Sequence, residues 1–300
     1  MGTTIKTTAV SINGSTSSID LAVAAGNDCI DASGIDKTDI EVLISIGVYH
    51  DDNIMEPAMA PLIQQRLGIN PDPVEHGTMK FTFCFDLYNG ACGFVNALQV
   101  ADSIIKSGQA KNVLIVSADA HPSKSRRDDF PFTPVGAAVV LTDGGNSKKG
   151  FTDYFINTSG NGYEGLVGGS DILARKHDSI CGKEHIELRQ DGGFHEALYE
   201  FTTQSARDYI ERHNIDLDTV KFLIASQPEN GFAQRIYRTI GLHAVTNIVD
   251  LYSEHGNPHT SSLPLGFHTL VESSALQESD SILFVAAGSG LTSAFAMYTA

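Results

Sequence analysis

Two stretches of this chain repeat each other at a constant offset of 180 residues. Residues 34–45 read GIDKTDIEVLIS and residues 214–225 read NIDLDTVKFLIA, so Ile35, Asp36, Leu43 and Ile44 match Ile215, Asp216, Leu223 and Ile224 without a gap. Each copy follows an amphipathic helical pattern, near 17–32 and 195–212. Each leads through a β-rich apolar run into another helix that stops at glycine, at Leu67-Gly68 and at Ile240-Gly241. Further on, NGACGFVNALQVADSIIKSG precedes the strand pattern NVLIVSAD (112–119), and EHGNPHTSSLPLGFHTLVESSAL precedes SILFVAAG (281–288). Strands alternating with helices imply α/β layers. Two unrelated α/β stretches that share common residue types are the alternative, but the gapless match and the repeated order favour duplication. The expectation is one compact unit of two similar halves, 1–150 and 151–300, whose sheets pack around central helices. The Gly-rich, weakly periodic segment 145–193 reads as the connection between them.

Composition excludes several classes. With 20 Lys plus Arg against 36 Asp plus Glu, the formal charge is −16, which repels phosphate backbones and makes nucleic acid an unsuitable partner. The longest apolar runs, Val135 to Leu141 and Ile282 to Ala287, are strand-sized, so no membrane span is expected. The start MGTTIKTTAV lacks the charged and apolar regions of a signal peptide. The four cysteines, Cys29, Cys84, Cys92 and Cys181, form no C-x-x-C pair. They read as reduced thiols of a cytoplasmic protein with no metal site.

The motifs FDLYNGACGF, GAAVVLTDG, LIASQ, EHGNPHTSSLP and AAGSGL, in this order, resemble the thiolase superfamily. Within it the chain is similar to the β-ketoacyl-acyl-carrier-protein synthase III branch. It also resembles the enzymes that join two acyl chains head to head in olefin synthesis. The resemblance covers about Ser18 to Ala300. It implies a five-layered αβαβα fold, a dimer, and acyl transfer from acyl-CoA or an acyl-carrier-protein thioester through a cysteine, with no further cofactor.

The family triad is Cys, His and Asn. The nucleophile needs a thiolate at the N-terminus of a buried helix, where the helix dipole lowers the thiol pKa. Cys92 sits at such a place, after Gly90. A gapless alignment from Phe85-Asp86 or from Gly93-Phe94, however, puts Ala91 on the family cysteine. An extra residue in Asn89-Gly90 would restore Cys92, and a small buried thiol is the other reading of that residue. Cys84, in the alternating run FTFCF, reads as an inert strand thiol. The family histidine falls on Ser226, which cannot carry a proton at neutral pH as histidine does. Asn257 matches the family asparagine. His255 belongs to the H-G-N pattern, and His259 reads as a loop residue in preference to a replacement base. The resemblance implies an oxyanion hole from the backbone N–H groups of the nucleophile residue (91 or 92) and of Ser289, in the loop Gly288-Ser289-Gly290.

Glu56 stands in NIMEPAMAPLIQ, where the head-to-head condensing enzymes carry an E-P pair whose glutamate reaches across the dimer as a base. A solvated glutamate at a helix start fits the same residues. The basic group Lys124, Arg126 and Arg127 is a candidate contact for a pantetheine phosphate. The neighbouring Asp128 and Asp129 equally suit a solvated loop. The chain contains no Trp, and the family's adenine-clamping region is shortened between Ala9 and Ser18. Two functions follow from these residues. One is an atypical acyltransferase or condensing enzyme working through Cys92, Asn257, Ser226 and Glu56. The other is a catalytically degenerate subunit that pairs with an active homologue, so the partner is either a second copy or a ketosynthase-like chain.

Overall fold

Ser17 starts the first helix by accepting a hydrogen bond from the Asp20 amide at 3.0 Å, and Gly34 ends it in the left-handed conformation. Gly68 ends the second long helix of this half in the same left-handed way. The computed structural model describes residues 2–12, 14–70, 80–123, 130–145, 149–159, 166–169, 186–242 and 247–300. Lys124, Arg126, Arg127 and Cys181 lie outside the described residues.

The first half runs β1 (Thr3–Ser11), α1 (Ser18–Ser33), β2 (Val42–Ser45), α2 (Met59–Leu67), β3 (Phe83–Asp86), α3 (Gly93–Lys106), β4 (Asn112–Ala118) and β5 (Gly136–Asp143). The second runs β6 (Gly150–Thr158), a hairpin of β7 (Leu166–Gly169) and β8 (Glu187–Gln190), then α4 (Phe194–His213) and β9 (Val220–Ala225). It continues with α5 (Phe232–Thr239), β10 (Asn247–Val249), α6 (Tyr252–His255), α7 (Ser262–Glu272), β11 (Ser281–Gly288) and β12 (Thr292–Thr299).

The two five-stranded sheets have orders β1-β5-β4-β2-β3 and β6-β12-β11-β9-β10. In each, neighbours among the first three strands are antiparallel and neighbours among the last three are parallel. The sequence repeat is therefore a topological repeat, with β2 equivalent to β9, β4 to β11 and β5 to β12. The stretch read as a connection contains one of these strands. Residues 150–158 pair with β12 along its length, from Gly150↔Thr299 to Thr158↔Thr292. As an edge strand it is only partly buried, so it lacks the apolar run that marks β4 or β11.

Three apolar clusters fill the spaces between layers. One joins α1 and α2 to the outer face of the first sheet through Leu21, Ile30, Ile63, Leu114 and Val140. One joins α4 and α5 to the second sheet through Leu198, Tyr209, Ile236, Leu283 and Phe295. The largest lies between the sheets, where α3 and α7 meet both through Phe94, Leu98, Ile115, Phe267 and Phe284. The layers are thus helix, sheet, helix, sheet, helix. No helix among the described residues is long and apolar enough to cross a membrane.

α2 begins against a carboxylate rather than a side-chain cap of its own. The Met59 and Ala60 amides each donate to Asp86 at 2.7 Å, which satisfies two otherwise unpaired donors of the first turn. Asp86→Ala is expected to lower stability by about 1–2 kcal/mol. The denaturation midpoint should shift at unchanged m-value, because the compactness of the fold is unaffected.

Candidate active site

The repeat places the N-termini of its two central helices close together between the sheets. Gly90–Cys92 forms a turn of 3₁₀ helix that runs into α3, and His259–Ser261 forms the equivalent turn before α7. The ends of β9 and β11 reach the same place. A pocket opens there, lined by Ala91, Phe132, Leu166, Phe194, Leu198, Ser226, Pro228, Asn257, His259, Ala287, Gly288 and Ser289. Its free volume is about 30 Å³, more than the ~10–15 Å³ that one water molecule needs.

The pocket brings together Ala91, Ser226, Asn257, Gly288 and Ser289, which are far apart in sequence. It is not lined by Cys92, Glu56 or Gly290. Cys92 is fully buried in the central cluster. Its Sγ donates to the carbonyl of Thr292 at 3.4 Å. Burial pushes the thiol up to about 12 from its ordinary 9.0, with the Ala294 backbone pulling slightly the other way. One residue turns about 120° in a 3₁₀ turn, so Ala91 and Cys92 point in different directions, although the Cys92 Sγ also lies beside Gly288, where a β-carbon would be 3.8 Å from it. Ala91 faces the pocket and Cys92 faces β12.

Ser226 accepts a hydrogen bond from the Ala287 amide at 3.0 Å, which ties the end of β9 to the end of β11. Gln227 beside it is buried and donates to the carbonyls of Ala225 and Val249. Asn257 Oδ1 accepts from the His259 amide at 3.0 Å. That contact fixes which end of the amide is oxygen and leaves the NH₂ group as the donor available to a ligand. The close approach of Gly288 to Ala91 is real but not severe, since a β-carbon at 288 would stand 3.5 Å from the Ala91 nitrogen, an ordinary contact. Glycine is required instead at Gly290, where φ is +112°.

One pairing at the pocket was not foreseen in the sequence. His259, read there as a loop residue, lines the pocket with only 11% of its side chain exposed. Its Nδ1 lies 2.8 Å from Asp119 Oδ2, and its ring stacks on Phe132 at 4.1 Å between centroids. Asp119 is fully buried and also accepts from the amides of Val48, Tyr49 and Thr260 and from the Thr260 hydroxyl. Burial works to raise its pKa. The His259 charge and the hydrogen bonds from His259, Thr260 and Tyr49 outweigh it and hold the carboxyl below its ordinary value. A histidine followed by Thr-Ser-Ser gives no sequence signal of an aspartate 140 residues away.

Glu56 is exposed, just ahead of α2. Nearby, Met55, Phe81, Phe83 and Tyr88 are exposed as well, at 93%, 65%, 64% and 52%. β3, which carries Phe83, is an edge strand of its sheet. Cys84 on the same strand points to the other face, where its thiol donates to Gln64 Oε1. Among the described residues no cluster of His, Cys, Asp or Glu is arranged to hold a metal ion.

Two duplicated α/β halves with a pocket at the N-termini of both central helices define a thiolase-type fold. The two descriptions of 3-oxoacyl-[acyl-carrier-protein] synthase III match this chain, the general one over residues 85–160 and its C-terminal one over 210–299. The chain belongs to the thiolase superfamily and is of its β-ketoacyl-acyl-carrier-protein synthase III-like kind. Among curated relatives, β-ketoacyl-[acyl-carrier-protein] synthase III of Aliarcobacter butzleri is 27% identical over 310 residues, covering 99% of this chain and 87% of that protein. The Rickettsia massiliae enzyme of the same name is 28% identical over 277 residues, covering 91% and 81%. Among solved structures, the 3-oxoacyl-(acyl carrier protein) synthase III of Pseudomonas aeruginosa superposes with a TM-score of 0.81 at 19% identity, covering 100% and 98%. OleA of Xanthomonas campestris, solved with lauric acid and lauroyl-CoA bound, gives 0.77 at 13% identity, covering 100% and 99%.

The burial of Cys92 has a direct readout. At pH 8 a thiol-alkylating reagent should leave Cys92 unmodified in the folded protein and modify it after denaturation, as followed by peptide mass mapping. The linkage sign follows from the raised pKa. Above the ordinary 9.0 the unfolded chain releases this proton while the folded chain keeps it up to about 12. The thiol's contribution is therefore complete below pH 9 and is lost as pH rises through that window.

Proposed function

We propose that this chain is a ketosynthase III-like subunit that takes acyl thioesters without forming an acyl-cysteine, and that it pairs with another thiolase-fold chain. The observation that carries this reading is the lining of the pocket. Ala91, which has no nucleophilic atom, occupies the helix N-terminus there, while the Cys92 thiol is turned into the core with its proton held tightly. Thiolate, not thiol, is the nucleophile. Ser226 at the family histidine position removes the second member of the triad. Asn257 and the Gly288-Ser289 segment remain at the pocket, which supports retained binding of a thioester carbonyl. No cofactor is needed for such binding.

Pairing is supported by the exposed apolar group Met55, Phe81, Phe83 and Tyr88 around the β3 edge. An edge strand with aromatic side chains in water is a ready template for a second sheet. The partner is a thiolase-fold chain, either a second copy or an active homologue. Glu56 stands in the same exposed region and is thereby offered to the partner's pocket. In the rival reading, Cys92 itself accepts the acyl group, which requires its thiol, buried beside Gly288, to be uncovered and deprotonated.

Intact-protein mass spectrometry with a panel of acyl-CoAs separates the two. The native protein should carry no acyl adduct, and Ala91→Cys, which sets a thiol on the pocket wall, should gain one. An adduct on Cys92 of the native protein would overturn the proposal. For the interface, Phe83→Glu is expected to lower the molar mass seen by light scattering, or to abolish co-purification with a homologous partner, while the melting temperature of the isolated subunit stays within a few degrees.

A further inference from the structure

We infer that His259, held by Asp119, is a general base that directs water onto an acyl thioester in this pocket, so that the chain is a thioester hydrolase. The inference rests on the reading that the pocket accepts acyl thioesters. The Asp119 carboxylate accepts from Nδ1 at 2.8 Å, so in the neutral ring the proton sits on Nδ1 and Nε2 presents its lone pair. Among the described residues no protein group hydrogen-bonds Nε2. That nitrogen lies beside Gly90, the residue before Ala91, where a β-carbon on Gly90 would be 3.8 Å from it. The ring cannot swing away, because Phe132 stacks on it and Tyr49 packs at 5.7 Å between centroids.

The pocket has the remaining parts for hydrolysis. Its free volume of about 30 Å³ accommodates a water molecule next to the imidazole. Its wall offers the Asn257 amide and the backbone of Ala91 and Ser289 to the carbonyl. A cysteine at position 91 would intercept the thioester first, and alanine leaves the carbonyl carbon to water. In the step itself, the water oxygen bonds to the carbonyl carbon as its proton passes to Nε2. The oxyanion then collapses, the carbon–sulfur bond breaks, and Nε2 returns the proton to the leaving thiolate. The products are a carboxylic acid and a free thiol. Asp119 is a positioning residue in this scheme, because it acts only through the imidazole.

The test uses the full chain, with its partner if one co-purifies. Free thiol release from acetyl-, butyryl-, octanoyl- and lauroyl-CoA is measured alongside binding of S-octyl-CoA, a thioether that cannot be hydrolysed. Turnover without an acyl-enzyme adduct is expected. His259→Gln should lower kcat by at least about 100-fold with thioether affinity unchanged. Asp119→Asn should lower kcat more than it raises KM. It should also shift the His259 ¹⁵N resonances from one tautomer to a mixture, a signature that loss of stability alone does not produce. Binding of the thioether with no hydrolysis of any acyl-CoA, or a His259→Gln variant as fast as the native protein, overturns the inference and leaves the acyl-thioester reading standing. Failure to bind the thioether overturns both.

Discussion

The Asp119 carboxylate is the contact on which the geometry of the pocket depends. It stands just past the end of β4 in the first half and is fully buried. Its two oxygens receive three backbone amides, one hydroxyl and one imidazole nitrogen. Val48 and Tyr49 belong to the first half, and His259 and Thr260 to the turn that starts α7 in the second. One charge therefore clamps two loops from different halves against each other. A buried carboxylate is costly unless it is paired and hydrogen-bonded, and this one is saturated with donors. Removing any one of them would leave charge unsatisfied, so the loops cannot drift apart independently.

The same clamp accounts for the shape of the opposite pocket wall. His259 adopts a positive φ of 51°, which is uncommon for a residue with a side chain. The clamp and the Phe132 stack hold it there. Ser261 continues the connection, bonding to Ser117 and to the Val135 carbonyl, so the start of α7 is tied to β4 and to the entry of β5. The N-terminus of α3 has no comparable polar anchor. It is held by apolar packing, with Phe94 and Val95 fully buried directly behind it. Packing sets the helix rotation, and helix rotation sends Ala91 to the pocket and Cys92 to the core.

Much of the fold was legible in the residues. The 180-residue repeat predicted two like halves, and the strands near 112–119 and 281–288 are β4 and β11. Their short length and β-branched aliphatic content favour strand over buried helix. β6 was missed because an edge strand buries little and so shows little periodicity. Asn257, Ser226 and the Gly288-Ser289 segment were picked out through the resemblance of their motifs to the thiolase superfamily, and the structure sets them around one pocket. The Asp119–His259 pair was not, because a contact across 140 residues leaves no local pattern.

The sequence by itself determined the α/β alternation and the duplication, since each follows from residue type and period, while the five-layer order and the serine at the family histidine position came from the resemblance to the thiolase superfamily. Only the tertiary structure decided which of two adjacent residues, Ala91 or Cys92, lines the pocket. The reason is that helix phase is set by what packs behind the helix. Phe94 and Val95 lock α3 between the two sheets, and a turn of about 120° per residue in the 3₁₀ turn ahead of it then separates a pocket wall from a buried thiol.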